Sequence, residues 1–139
     1  MVIDTSAVLA ILLAEDDADG FAMAIEQAED CRMSAASYLE AAIVVDNRGD
    51  AVASREFDQF FRRAGITIEA VTRKQAEVAR QAYRDFGKGR HAAGLNFGDC
   101  LSYALAKCLD QPLLYKGLDF ARTDIERAVS RETPADSDS

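Results

Sequence analysis

The sequence is short of the features that mark membrane proteins, secreted proteins and thiolate metal sites. No apolar run approaches the roughly 20 residues that a bilayer-spanning helix needs. No basic segment precedes an apolar stretch near the N-terminus, so a secretory signal is not expected. The three cysteines, Cys31, Cys100 and Cys108, are far apart and include no CxxC pair. We expect all three to be small buried hydrophobic residues in a reducing, cytoplasmic compartment.

Positive charge is outweighed by negative charge, since 16 lysines and arginines stand against 24 aspartates and glutamates and give a formal net charge of −8. This acidity argues against a protein that binds nucleic acid by bulk attraction. The charge is unevenly spread, however. Residues 131–139 carry one arginine and three acids, which predicts an acidic, disordered tail, whereas residues 62–91 carry eight arginines and lysines against three acids. That basic segment is either a solvated helix face or a local patch for a polyanion, and both interpretations stay open.

Strand-like and helix-like segments alternate along residues 1–130, and the apolar content of 49% is typical of a globular protein. Four segments have strand character: MVID, DCRMSAAS, ITIEAV and QPLLYKG. Helical spacing fills the intervals, and a short helical turn near residue 120 is expected to lead into a final edge strand. Such alternation requires crossover connections and predicts a mostly parallel sheet. We expect one domain, a three-layer α/β/α sandwich with four or five strands, followed by the tail.

Four acidic residues occupy positions that a solvated helix face does not explain. Asp4 ends the first strand, and Asp119 follows the last apolar strand. Glu40 lies in an apolar helical stripe, and Asp99 stands at the head of the most apolar helix. Each has a simpler alternative as a helix cap, a partly exposed helix residue or a turn residue. Strand ends and helix starts of a parallel sheet meet at one edge, so we expect the four acids to lie together.

Carboxylates without histidine or cysteine are the ligands that hard cations prefer, so the cluster predicts Mg²⁺, with Mn²⁺ as a substitute. Two such ions about 4 Å apart can activate a water molecule and stabilise the leaving oxygen of a phosphodiester. Divalent cations would also convert a pocket that repels anions into one that binds them. If Asp4 serves such a cluster, we expect Thr5 or Ser6 to cap the first helix instead.

The chain resembles the PIN-domain ribonucleases, specifically the VapC toxins of bacterial toxin–antitoxin pairs. Four segments carry the resemblance: MVIDTSAVLAILLAE, SAASYLEAAIVV, RHAAGLNFGDCLSYALAK and LLYKGLDFARTDI. They extend over nearly all of residues 1–130, and the order and spacing of the last two are highly specific. The resemblance implies a metal-dependent endoribonuclease that hydrolyses RNA phosphodiester bonds. It also implies a homodimer that a cognate VapB-type antitoxin holds inactive in a heterotetramer or larger assembly.

The resemblance assigns roles to particular positions of this sequence. The implied catalytic and metal-binding acids are Asp4, Glu40, Asp99 and Asp119. The residues implied to support them are Ser6 and Asn96. The candidate RNA contacts are Lys88, Arg90, His91 and Lys116. Asp124, in the RTDI segment, either lies near the site or faces solvent, and we give it no role.

Two other functions compete with a nuclease. An α/β phosphatase or phosphoacceptor domain also places an aspartate after its first strand, but Ser6 stands where the commoner phosphatase pattern has a second aspartate. A non-catalytic partner-binding module is the other alternative. Its apolar helices over residues 7–64 would form a groove for a segment of the antitoxin.

Overall fold

Residues 1–128, the part of the chain that the computed structural model describes, contain four strands and six α-helices, with two helices between each pair of successive strands. The first half contains β1 (Val2–Ile3), α1 (Thr5–Leu12), α2 (Ala18–Gln27), β2 (Cys31–Ser34), α3 (Ala35–Asp46) and α4 (Ala51–Ala64). The second half contains β3 (Ile66–Glu69), α5 (Arg73–Phe86), α6 (Phe97–Leu109), β4 (Leu113–Leu114) and a 3₁₀ turn (Phe120–Arg122). The predicted acidic tail, residues 131–139, lies outside the described residues.

The four strands of the described chain form one parallel sheet in the order β3-β2-β1-β4. This confirms the predicted α/β sandwich with a parallel sheet. Where a final edge strand was predicted, the described residues make one parallel bridge to β4, between Leu113 and Arg127. The Leu113 N–H donates to the Glu126 carbonyl and the Ala128 N–H donates to the Leu113 carbonyl, each at 2.9 Å. Any continuation of this pairing beyond residue 128 lies outside the described residues.

The sheet separates two apolar cores, because successive strand residues point to opposite faces. Ile3 and Leu114 pack with the helices α1 to α4 on one face. Val2 and Leu113 pack with α5 and α6 on the other. These are the three expected layers, and they place β1 at the centre of the sheet with helices above and below its carboxyl end.

The helix ends follow local chemistry. Gly65, with φ of 69°, ends α4 in the left-handed conformation that glycine adopts without strain. Cys31 and Cys100 are buried as expected, but Cys108 is exposed. The expectation failed there because the last turn of α6 extends past the sheet into solvent, where Lys107 and Leu109 are also exposed. In residues 1–128 no helix combines the length and the apolar character that crossing a membrane requires.

Candidate active site

Asp4 leaves the carboxyl end of the central strand β1 and is buried, with 5% of its surface exposed. Its Oδ2 accepts hydrogen bonds from the Ser6 backbone N–H at 3.0 Å and from the Ser6 hydroxyl at 2.7 Å. Asp4 is therefore itself the N-cap of α1, and the expectation that Thr5 or Ser6 takes this role is wrong. The extended backbone of Asp4 aims its side chain at the first free N–H groups of the helix, so one carboxylate caps α1 and still ends the strand.

Glu40 lies on α3, and its side chain faces solvent beside the start of α6. Its Oε1 accepts a hydrogen bond from the Thr5 hydroxyl at 3.2 Å. Gly98 lies so close that a Cβ atom added there would be 2.6 Å from Glu40 Oε1. The absence of a side chain at position 98 therefore leaves the space that this carboxylate occupies.

Asp99 sits in the first turn of α6, whose N-cap is Asn96. The two residues form a reciprocal capping box: Asp99 N–H donates to Asn96 Oδ1 at 2.8 Å, and Asn96 N–H donates to Asp99 Oδ2 at 3.0 Å. Both sequence interpretations of Asp99, as a capping residue and as a member of the acidic cluster, are thus compatible. Asn96 holds the helix start that carries Asp99.

The four predicted acids influence one another electrostatically. The pKa of the Asp99 carboxyl is raised to about 6, chiefly by burial and in addition by the negative charges of Asp4, Asp119 and Glu40, while the hydrogen bond with the Asn96 backbone acts in the opposite direction. Asp119 itself is exposed, just before the 3₁₀ turn. The fold therefore collects like charges from β1, α3, α6 and the segment after β4 around Asp99.

The donor chemistry of these four carboxylates fits a hard divalent cation, since every ligand is an oxygen and the accumulated charge is negative. The space beside Gly98 also leaves the Glu40 carboxylate close to the helix that carries Asp99. Within residues 1–128, no group of three or more acidic, histidine or cysteine side chains is already arranged to hold a metal ion. The exposed side chains of Glu40 and Asp119 would have to turn toward Asp99 to complete one.

Comparison with known proteins identifies the family. The PIN domain family model matches residues 1–126. The chain belongs to the PIN-domain family. It is 54% identical over 132 residues to Ribonuclease VapC28 of Mycobacterium tuberculosis, covering 94% of this chain and 99% of that protein. It is 53% identical over 125 residues to Ribonuclease VapC of Mycolicibacterium smegmatis, covering 90% of this chain and 97% of that protein. These relatives place it among the VapC ribonucleases, as the sequence resemblance predicted.

Solved structures of more distant relatives support the fold. The crystal structure of Mycobacterium tuberculosis VapC20, described as a Sarcin-Ricin loop cleaving toxin, superposes with a TM-score of 0.70 at 16% identity, covering 92% of this chain and 98% of that one. A toxin-antitoxin complex from Klebsiella pneumoniae contains a chain with a TM-score of 0.66 at 14% identity, covering 88% of this chain and 92% of that one. At these identities the likeness establishes the PIN-domain architecture.

The candidate RNA contacts of this PIN domain fall into two groups. Lys88, Arg90 and His91 are exposed on the loop between α5 and α6. Lys88 also lines a groove of about 540 Å³ that continues to Asn96 and Phe97, next to the acids. Lys116 is different, because its ammonium is held by Glu15 at 2.5 Å and by an aspartate of the same loop at 3.3 Å. Its backbone N–H donates to Ser6 Oγ at 2.9 Å. Lys116 therefore helps to hold the Ser6 hydroxyl that donates to Asp4.

Three further hydroxyl residues lie at the site: Ser37 and Ser102 were not singled out from the sequence, and Thr5 was considered only as a helix cap. Ser102 donates a hydrogen bond of 2.5 Å to Asp4 Oδ1 and lies 2.9 Å from Ser37 Oγ. The Thr5 hydroxyl lies 3.0 Å from the Ser37 carbonyl oxygen and 3.2 Å from Glu40 Oε1, so these two acceptors share its single proton. A signal existed for Ser102, since a serine three residues after Asp99 in the most apolar helix of the chain is unusual for a core position.

Proposed function

We propose that this PIN domain is a Mg²⁺-dependent endoribonuclease toxin, with Mn²⁺ as a substitute, that hydrolyses RNA phosphodiester bonds. The observation that carries the proposal is the collection of four carboxylates around Asp99, whose pKa is raised by burial and by its acidic neighbours. An arrangement that accumulates uncompensated negative charge destabilises the fold unless it binds cations. The kinship with VapC ribonucleases points to RNA as the substrate.

In this mechanism Asp4, Glu40, Asp99 and Asp119 would hold the cation. When bound, it would supply the positive charge that lets water attack the phosphodiester and that stabilises the departing oxygen. The capping hydrogen bonds of Asp4 and Asp99 fix these two carboxylates to the starts of α1 and α6. Glu40 and Asp119 are exposed and free to adjust as the substrate enters.

The basic loop after α5 offers a path for the RNA backbone. Lys88 and Arg90 surround the exposed ring of Tyr83, whose hydroxyl donates to the Lys88 carbonyl and whose face lies 5.9 Å from the Arg90 guanidinium. His91 Nδ1 accepts from the Ala93 N–H, which places its proton on Nε2 in the neutral form. These groups would contact phosphates, which position a strand without reading its sequence.

The phosphoacceptor alternative is not favoured by the site. That chemistry needs a lysine beside the nucleophilic Asp4, yet the Lys116 ammonium is engaged by Glu15. Both oxygens of Asp4 also accept hydrogen bonds from hydroxyl groups, those of Ser6 and Ser102. A carboxylate fixed in this way suits a ligand role better than attack on a phosphorus atom.

Cleavage of structured RNA by metal-stripped protein tests the proposal. We expect no cleavage until Mg²⁺ or Mn²⁺ is added, and none with Asp99→Asn under any condition. Asp58→Asn, which removes the same charge from the exposed face of α4, is the matched control and should cleave like the wild type. Failure of the wild type to cleave with either cation, while its circular dichroism shows an intact fold, would refute the proposal.

We propose that a VapB-type antitoxin occupies the groove between α1, α2 and α4, which has a volume of about 760 Å³. Ile11, Leu12 and Phe60 supply its apolar surface. Its charged lining residues are Glu26, Glu56 and Arg63, so acids outnumber bases there. An amphipathic segment with basic flanks fits such a groove. Glu56→Lys should weaken the complex with the cognate antitoxin, and an unchanged affinity would exclude this groove.

We propose that the homodimer forms through the surface around Phe97, whose ring is 81% exposed. Phe97 stands between two grooves, one on the α5 side with Arg80 and Lys88, the other on the α3 side with Leu39 and Glu40. A two-fold axis parallel to the ridge, midway between Phe97 and one of the grooves, would insert the ridge of each copy into that groove of the other.

A further inference from the structure

Each carboxylate oxygen of Asp4 accepts a hydrogen bond from a hydroxyl group, and the hydroxyl that donates to Oδ1 belongs to a residue in the interior of the molecule. Ser102 is fully buried on α6, at 0% exposure, and donates to Asp4 Oδ1 at 2.5 Å. Asp4 is 98 residues away in sequence, so the contact exists only because the fold sets α6 against the end of β1. This bond is separate from the capping bonds, which all end on Oδ2.

The hydroxyl of Ser102 is in turn fixed by Ser37, which is 1% exposed on α3 and whose Oγ lies 2.9 Å away. A serine hydroxyl has a single proton. Because Ser102 uses its proton on Asp4, Ser37 must be the donor in the second bond. The chain of donation therefore runs in one direction, from Ser37 to Ser102 to Asp4.

The positions of the two serines relate them to the other acids. Ser37 lies three residues before Glu40 on α3, and Ser102 lies three residues after Asp99 on α6. Residues three apart share a helix face. The buried hydroxyl pair thus joins the two helices that carry Glu40 and Asp99 and ends on the acid of the central strand.

We propose that Ser102 is a positioning residue of the cation site: its buried hydroxyl, ordered by Ser37, fixes the Asp4 carboxylate in the orientation that binds the divalent cation. This inference rests on the proposed function, since it concerns the affinity of that cation site. Groups that hydrogen-bond a ligand residue, rather than the metal, characteristically change metal affinity by about 10- to 100-fold when they are removed. The alternative is that the serine pair only ties α3 to α6 and affects stability alone.

Titration of Mn²⁺ into the full chain, followed by the electron paramagnetic resonance signal of the free ion, separates these two roles. Ser102→Ala should weaken Mn²⁺ binding by about tenfold or more. Ser34→Ala is the matched control, because Ser34 is also a serine at 1% exposure, but its hydroxyl accepts from Ala36 N–H and caps α3. We expect Ser34→Ala to lower thermal stability while leaving the Mn²⁺ affinity within twofold of wild type.

Each result has a defined meaning. If Ser102→Ala binds Mn²⁺ within twofold of the wild type, Ser102 is merely structural and the inference is overturned while the proposed function stands. If the wild type binds no Mn²⁺, the proposed function fails and the inference fails with it. Should Ser102→Ala not fold, Ser102→Cys preserves the side-chain shape with a weak donor, and the same loss of affinity is expected.

Discussion

At the scale of single residues, the main feature of the candidate site is the negative charge that accumulates around Asp99. Asp99 is partly buried, and its neighbours Asp4, Glu40 and Asp119 all disfavour its ionisation. A protein without a function for these charges would gain stability by losing one of them. The capping box with Asn96 moderates the effect but does not remove it, because the carboxyl pKa remains near 6.

Asp99→Asn should stabilise the cation-free protein at neutral pH. The folded-state pKa of about 6 lies above the usual value of about 3.9, so the folded state binds more protons than the unfolded state between these values. The Asp99 carboxylate therefore lowers the free energy of unfolding progressively as the pH rises from about 4 to about 6. The amide avoids this loss and should gain roughly 1–2 kcal/mol above pH 6, after allowance for solvent screening.

Urea unfolding with a chelator at pH 4.5 and pH 7.5 measures this effect. The difference between Asp99→Asn and the wild type should be larger at pH 7.5. A difference that is the same at both values would show that Asp99 carries no burial penalty.

Gly98→Ala should change the stability of α6 and the position of the Glu40 carboxylate in different ways. Alanine favours a helix by up to about 1 kcal/mol over glycine, but its Cβ would lie 2.6 Å from Glu40 Oε1. Because the Glu40 side chain is exposed, it can move aside at little cost to folding. The movement would take its carboxylate away from Asp99. We expect unchanged or raised stability and a roughly tenfold loss of cleavage, as for other disturbed metal-site contacts.

Cleavage rates and melting temperatures of the variant check this expectation. Gly20→Ala on α2 is the control, since nothing lies within 4 Å of the added Cβ. Full activity of Gly98→Ala would remove Glu40 from the catalytic set.

At the scale of helices and strands, a feature of the candidate site could be predicted only where a local sequence pattern indicates it. Asp4 and Asp119 could be proposed as site residues because each follows an apolar strand, and strand ends of a parallel sheet share an edge. The contact between Ser37 and Ser102 joins residues 65 positions apart, and no local pattern in the sequence indicates it. The capping of α1 by Asp4 was considered from the sequence but then assigned to Thr5 or Ser6, because capping and cation binding were treated as exclusive roles for one carboxylate.

The segment that carries Asp119 is anchored by another long-range contact. Tyr103 on α6 donates to Asp124 Oδ1 at 2.5 Å, and the Lys107 ammonium lies 2.8 Å from Asp124 Oδ2. Burial alone would raise the pKa of Asp124, but the hydrogen bonds from Lys107 and Tyr103 outweigh it and hold that pKa below its usual value. Asp124 therefore fastens the chain after the 3₁₀ turn to α6.

Tyr103→Phe should lower the free energy of unfolding by about 1.5–2 kcal/mol, since it removes a buried donor to a charged acceptor. Lys107→Met should cost less than about 1 kcal/mol, because the Lys107–Asp124 ion pair is about half exposed. Denaturant unfolding of both variants gives the comparison. Equal losses, or a larger loss for Lys107→Met, would contradict the anchoring role assigned to the tyrosine.

At the scale of the whole molecule, the fold class and the family were predictable, whereas the surfaces were not. Alternating strand and helix patterns predicted the parallel three-layer sandwich, and the motif segments predicted the PIN family. Which apolar residues remain exposed depends on packing between distant elements. Phe97 illustrates this, because its position at the start of an apolar helix gave no indication that its ring is 81% exposed.

Phe97→Ser should convert the proposed dimer into a monomer without unfolding it, because the ring contributes little to the core of its own chain. Sedimentation velocity measures the change. Val52→Ser on α4 removes an apolar side chain that is also exposed, at 51%, but lies off the Phe97 surface, and it should remain dimeric. A monomeric wild type, or a dimeric Phe97→Ser, would exclude this interface.

The central claim is that the carboxylates of Asp4, Glu40, Asp99 and Asp119 together hold a divalent cation. The most direct measurement is the anomalous diffraction of a crystal grown with Mn²⁺. We expect a manganese peak about 2 Å from carboxylate oxygens of Asp4 and Asp99, with Glu40 or Asp119 turned toward it. Manganese bound elsewhere, or none at this edge of the sheet, would contradict the account.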